Sequence, residues 1–303
     1  MDLRQLAALV AVAEAGSFSG AARRLHTVQS NVSTHVARLE QELGATLVDR
    51  TSGSLTDEGN AVAARARRIR HELDALRADV AALLHEVSGT VRLGCIGTVG
   101  RWLVPRLLEL VHERHPKVHI VVVDATTTSL LPQLQSHALD LAVVNLPVAD
   151  PDVATVPLFD EDRILVVPVD HPLAGDERVS LPMLAEHELL LEPRGTAFRD
   201  ELDQEASRTG VVLRALAEVD GLRLVASLAF EGFGAAILPS TAVPDWAEGG
   251  PWRRVAVEGL APRRVGLAHS RRARLSAPSR VVRDTIKEVV TSADRDGVRP
   301  TIG

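Results

Sequence analysis

The sequence predicts an α/β protein in three parts: an N-terminal winged helix-turn-helix, one long linker helix, and a C-terminal module of two Rossmann-like subdomains. Three observations carry this expectation. Residues 17–43 hold two short helical patterns split by a polar break, and residues 62–87 hold apolar residues in steps of four and three. Beyond Gly89, apolar runs alternate with helical stripes.

The first helix is expected from the stripe Leu6, Leu9, Val10 and Ala13, which ends at Gly16, where glycine takes a left-handed cap without strain. In the segment SFSGAARRLHTVQSNVSTHVARLEQEL that follows, Val32, Val36, Leu39 and Leu43 fall on one arc of a 3.6-residue helix. Ser30, Thr34, Ala37 and Arg38 fall on the other. The apolar arc packs, and the polar arc is left to enter a DNA major groove. The hydroxyls of Ser30, Ser33 and Thr34 suit either base. Ala37 suits a thymine methyl, Arg38 a guanine edge or phosphate, and Gln29 an adenine. Arg23 and Arg50 add local positive charge. Thr46–Val48 and Leu55–Thr56, joined by a polar turn with Gly53 near its tip, are expected to form a wing. An ordinary amphipathic hairpin would show the same two helices, but not the third helix in front or the wing behind.

From Leu3 through that segment and GATLVDR to LTDEG at residues 55 to 59, the chain resembles the LysR-type transcriptional regulators, and the likeness runs over nearly its whole length. The resemblance implies a periplasmic-binding-protein-like effector module and a regulator that binds an inverted-repeat promoter site as a homodimer or homotetramer. The chain departs from the family at two places. Thr34 stands where many members carry arginine, and the short wing between Arg50 and Leu55 lacks the usual basic residues.

Composition sets bounds on function. A chain of 303 residues exceeds one small core, and a formal charge of −6 is not that of a basic nucleic-acid coat. Residues 1–89 carry ten arginines against eleven carboxylates, so attraction to DNA must come from local clustering. The single cysteine, Cys95, excludes an intramolecular disulfide and reads as a buried small hydrophobe. No apolar run is long enough to span a membrane, LAALVAVA is too short for a signal core, and the expected location is the cytoplasm.

Val62, Ala66, Ile69, Leu73, Leu76, Val80, Leu83 and Val87 form the seam of a coiled coil. A helix from Asp57 to Val87 would run about 46 Å at 1.5 Å per residue, too long to stand without a partner. It is the expected dimer contact, which the resemblance also implies. The alternative is a helix lying on its own effector module.

Ser88-Gly89-Thr90 marks the hinge. VRLGCIG (91–97), HIVVVDA (119–125) and DLAVVN (140–145) read as parallel strands buried on both faces, with helices between them. RILVVPV (163–169), ELLLE (188–192), LRALAEV (213–219) and AAILPS (235–240) begin a second such unit. The strand RRVGLAHS and a helix from about Pro278 to Val290 return to the first. Residues 291–303 read as a loose tail. The expected domains are 1–59 for DNA binding, 60–89 for the linker and 90–303 for the effector module. Within the last, subdomain one covers about 90–160 and 268–303, and subdomain two about 161–267.

An enzyme is the competing reading. Gly94, Gly97 and Gly100 crowd a strand-to-helix turn and Asp124 ends the next strand, but the spacing is not the dinucleotide-binding G-x-G-x-x-G. Neither a nucleophile elbow nor a metal-ligand cluster accompanies it, so no cofactor and no metal are expected. A third reading is a regulator that takes no ligand. In open α/β sheets ligands sit beyond the carboxyl ends of the strands. By resemblance, the loops there line the effector cleft: Thr98, Gly100, Arg101 and Trp102; Thr126, Thr127 and Thr128; Pro147; and Arg194, Thr196 and Phe198 from the facing half. Arg101 in this reading meets the carboxylate of a small anionic metabolite, and helix capping is the alternative role for the threonines.

Overall fold

The computed structural model describes residues 1–84, 86–243 and 250–301. It opens with α1 (Leu3–Ala15), α2 (Phe18–Arg24) and α3 (Gln29–Leu43). Asp2 and Gln5 form a reciprocal capping box that starts α1, and Gly16 at φ 64° ends it. Leu6, Leu9 and Val12 of α1 pack on Ala21, Ala22, Val32, Val36 and Leu39. Leu43, expected on the inner arc, lies in the last turn of α3 and is 43% exposed. The wing is a single bridge between Val48 and Leu55.

Helix α4 (Asp57–Leu83) starts at Thr56, whose hydroxyl accepts from the Gly59 N–H at 2.9 Å. Gly59 crosses so close to the wing that a Cβ there would sit 1.9 Å from the Leu47 carbonyl oxygen, so only glycine fits. At 27 residues α4 spans about 40 Å. Its first seam positions are spent inside the protomer, since Ala66 is buried in the winged-helix core and Val62 packs against it. Ile69, Leu76, Val80 and Leu83 remain exposed. Val87, expected as the last seam residue, lies past the helix end and packs on the α/β core instead.

The α/β module contains β1 (Gly89–Cys95), α5 (Gly97–Arg114), β2 (Val118–Asp124), α6 (Thr127–Gln135), β3 (Leu141–Asn145) and β4 (Val153–Glu161). Next come β5 (Arg163–Pro168), β6 (Arg178–Ser180), α7 (Leu181–Leu184), β7 (Glu188–Leu191), α8 (Ala197–Arg208), β8 (Arg214–Glu218) and α9 (Leu222–Phe230). It closes with β9 (Ala236–Pro239), β10 (Trp252–Glu258), β11 (Arg263–Ser270), α10 (Ala277–Thr291) and β12 (Val298–Pro300). One sheet has the order β12-β4-β11-β3-β1-β2. A second has the order β6-β10-β5-β9, with β7 and β8 paired beside it. The chain leaves the first sheet after β4 and returns at β11, so two strands cross between the subdomains.

Three expectations are corrected here. β2 is an edge strand, not one buried on both faces, and Val121 and Val122 are 37% and 36% exposed. β8 is exposed along its length. Residues 291–303 are not loose throughout, because Val298–Pro300 pair antiparallel with β4. The unforeseen β4 contains Pro157, which sits where the β4–β11 register shifts, the kind of irregularity that tolerates a strand proline.

Candidate functional site

On α3 the buried arc Val32, Val36 and Leu39 turns Gln29, Ser30, Thr34 and Arg38 outward to solvent, and Arg23 is exposed at the end of α2. Thr34 spends its hydroxyl proton on the Ser30 carbonyl at 2.8 Å, leaving lone pairs to face a groove. Arg50 is not a free cation. Its guanidinium donates to Glu40 at 2.8 Å and to Ser33 at 3.0 Å, and lies 4.8 Å from the Phe18 ring. Glu40 also accepts from the Leu47 and Val48 N–H groups at 2.9 and 3.2 Å. Burial pushes the Glu40 carboxyl up, but the Leu47 N–H, Arg50 and the Val48 N–H outweigh it and hold it below its ordinary range. Glu40 thus clamps the wing to α3, with Ser33 and Arg50 as its supports. Nothing in the spacing of one glutamate announces this role.

The second candidate site is a cavity of about 320 Å³ between the two subdomains. Thr127, Thr128 and Pro147 line it from one side, and Ala197 and Glu201 at the start of α8 line it from the other. Thr127 Oγ1 accepts from the Asn145 N–H at 3.0 Å, which fixes the turn after β3 against α6. The Asn145 Oδ1 is buried without a partner, and Asp150 adds a further acceptor on the rim.

The other expected effector residues lie elsewhere. Thr98 is buried and accepts from Arg263 at 2.9 Å, so its hydroxyl belongs to an internal network. Gly100 packs in the first turn of α5, where a Cβ would lie 3.5 Å from Cys95 Sγ. Arg101 donates to the Ala242 carbonyl at 3.3 Å, across the cleft and outside the cavity. Trp102 packs edge-to-face on Phe159 at 5.6 Å, with the Arg295 guanidinium 5.6 Å from its ring. Thr126 caps α6 by accepting from the Ser129 N–H at 3.3 Å. Arg194 is 71% exposed, 4.0 Å from Asp203. Thr196 donates to the Pro193 carbonyl at 2.9 Å, and Phe198 is buried in the second core beneath Arg163. Among the described residues the cavity lining holds two carboxylates and no lysine, arginine or histidine. Asp150 and Glu201 were not expected there, because isolated carboxylates on a loop and a helix carry no periodic signal.

The glycines and the acid that an enzyme reading would place at a nucleotide turn have structural roles. Gly94 is inside β1, where a Cβ would meet Leu130 at 2.7 Å, and Asp124 pairs with Arg223 of α9 at 2.6 Å.

Comparison with known proteins agrees with this architecture. Residues 3–60 match the bacterial regulatory helix-turn-helix model of the lysR family, and residues 84–291 match the LysR substrate binding domain. A probable hydrogen peroxide-inducible genes activator of Streptomyces viridosporus is 36% identical, covering 93% of this chain and 97% of that protein. The DNA-binding transcriptional dual regulator OxyR of Escherichia coli K12 is 32% identical, covering 80% and 81%. A cysteine variant of full-length OxyR from Pseudomonas aeruginosa superposes with a TM-score of 0.76 at 25% identity, covering 98% of this chain and 97% of that one. These relatives are regulators and not enzymes, and the chain belongs to the LysR family of DNA-binding transcriptional regulators.

Proposed function

We propose that this regulator grips an inverted-repeat promoter site in the cytoplasm through paired copies of α3, and that a small molecule in the cavity between the two subdomains resets that grip. In this reading residues 1–59 bind DNA, 60–89 dimerise and 90–303 sense the ligand. The observation that carries it is the pairing of an outward polar α3 face with a cavity walled by both subdomains. A ligand touching both walls favours one relative placement of the subdomains, and hence one spacing of the DNA-binding domains. Asp150, Glu201 and the unpartnered Asn145 Oδ1 leave the cavity with acceptors to spare even though Arg163 holds one Glu201 oxygen and Gln135 one Asp150 oxygen, so the favoured ligand is neutral or cationic and bears N–H or O–H donors. The anionic metabolite expected from Arg101 loses its support, because that arginine is outside the cavity.

The test is a footprint of the intergenic DNA beside the gene, with and without a metabolite panel. Arg38→Ala and Ser30→Ala are expected to weaken specific binding without unfolding the protein. A lost phosphate contact reduces the salt slope by about one, and a lost base contact costs about 1–3 kcal/mol. Thr127→Val is expected to leave basal operator affinity intact and blunt the ligand response. Wild-type footprints from all three variants would overturn both site assignments.

Several relatives are named as peroxide-inducible activators, and thiol oxidation by peroxide requires a thiolate. Cys95 is the only cysteine. Burial, with the Asp124 charge adding to it, pushes its pKa up to about 12, so it stays a thiol at neutral pH. We therefore expect hydrogen peroxide to leave the operator footprint unchanged and native Cys95 unmodified in a mass measurement. A peroxide-induced footprint shift reversed by dithiothreitol would refute this.

A further inference from the structure

Between the winged helix, α4 and the first subdomain lies a cavity of about 660 Å³, twice the size of the effector cavity and opposite to it in charge. Arg24, Arg67, Arg70, Arg77 and Arg92 face Glu14, Asp74 and Asp140, a formal net of +2 with the histidines neutral. The arginines converge unevenly. Glu14 alone takes Arg24 at 2.7 Å, Arg70 at 3.0 Å and Arg67 at 4.0 Å, so one carboxylate balances one of three guanidiniums. Each guanidinium has five N–H donors, more than two carboxylate oxygens can absorb from three of them. Across the gap, Ser136 and Thr90 supply hydroxyls, while the amino end of α10 beside Ser276 is already capped by Asp79, which accepts from the Ala277 N–H at 2.8 Å.

A second observation points to an absent partner. His137 stands on the same wall with its backbone at φ 56°, a conformation non-glycine residues adopt at a cost, and its Nε2 is buried without a hydrogen-bond partner. Its ring stacks against His71 of α4 at 5.1 Å, and His71 Nδ1 lies 3.3 Å from Asp140. The linker helix and the effector module therefore meet at a polar cluster that is not fully satisfied.

We propose that this cleft is a second ligand site, one that takes a small phosphate polyanion of pyrophosphate or nucleoside-polyphosphate type. Paired guanidiniums match phosphate oxygens bidentately, and the volume falls in the range of small-molecule sites. Glu14, Arg24, Arg67 and Arg70 move with the winged helix and α4, whereas Arg92, Ser136 and His137 move with the effector module. A bound polyanion holds these two walls together and so acts on the same domain placement as the effector cavity, from a different site.

The experiment is calorimetric titration of the full-length protein, already saturated with operator DNA, with inorganic pyrophosphate, ATP and citrate. DNA then occupies the groove-reading surface, and only a site away from it remains. Pyrophosphate or ATP is expected to bind, with citrate at least tenfold weaker. Arg70→Ala and Arg92→Gln, on opposite walls, are each expected to weaken it about tenfold. Pyrophosphate against ATP separates a bare phosphate site from one that also reads a nucleoside. The proposal is overturned if neither phosphate binds the operator complex, if citrate binds as tightly, or if Arg92→Gln, which leaves the Glu14 cluster untouched, binds like the parent.

Discussion

Arg263→Leu is expected to cost the effector module about 3–5 kcal/mol of unfolding free energy, the usual result of orphaning one partner of a buried ion pair. Glu161 is fully buried, and Arg263 is 4% exposed. Arg263 Nε donates to Glu161 Oε1 at 2.7 Å, and its Nη2 reaches Thr98 at 2.9 Å. The other Glu161 oxygen accepts from the Thr241 N–H at 3.1 Å. The pair therefore sits where both crossing strands pass between the subdomains, with Thr98 held from one side and Thr241 from the other. Leucine would leave the buried Glu161 carboxylate without its cationic partner. Urea unfolding of the variant checks the size. Adding Glu161→Leu in the same chain is expected to recover much of the loss, since an apolar pair of similar volume carries no desolvation cost. Equal stability of Arg263→Leu and the parent would mean that the pair contributes nothing to holding the subdomains together.

Leu76→Asp is expected to separate the dimer into folded monomers and lower operator affinity by about 100-fold or more. One recognition helix alone makes half of the contacts and releases half of the counterions. Leu76 is 60% exposed within the protomer, in a stripe with Val80 at 51% and Leu83 at 80%, so an aspartate there disturbs little in the single chain. Across a coiled-coil seam the same aspartate would face the apolar side of its mate without a partner. Sedimentation reads the oligomer, and circular dichroism shows whether the protomer stays folded. A dimer of unchanged strength would move the interface off α4.

The same helix shows how far periodicity reaches. Steps of four and three place an apolar stripe along α4, and that stripe is present. Its partner changes along its length, however, because Ala66 meets the winged-helix core, Leu76 meets solvent in the protomer, and Val87 has already left the helix. A repeat specifies a face, not what covers it.

Helix α3, its outward polar residues, the left-handed cap at Gly16, the strands β1 and β3 and the lone thiol at Cys95 were all legible from residue order. Each depends on side-chain spacing within a few turns, or on a count. Roles that depend on a distant partner were not legible. The sequence presents Arg50 as a local positive charge but not its bond to Glu40, and Thr98 as a cleft hydroxyl but not the bond its oxygen accepts from Arg263, 165 positions away. Phe198 reads equally as a cleft wall or as core, and packing under Arg163 made it core. The acceptor-rich cavity beside Thr127 and the arginine-lined cleft at Glu14 have no counterpart in any local pattern. Their charge is set by which loops and helices the two crossing strands and the linker bring together. A polar side chain's function follows from its nearest opposite charge and its access to water, and folding alone assigns both.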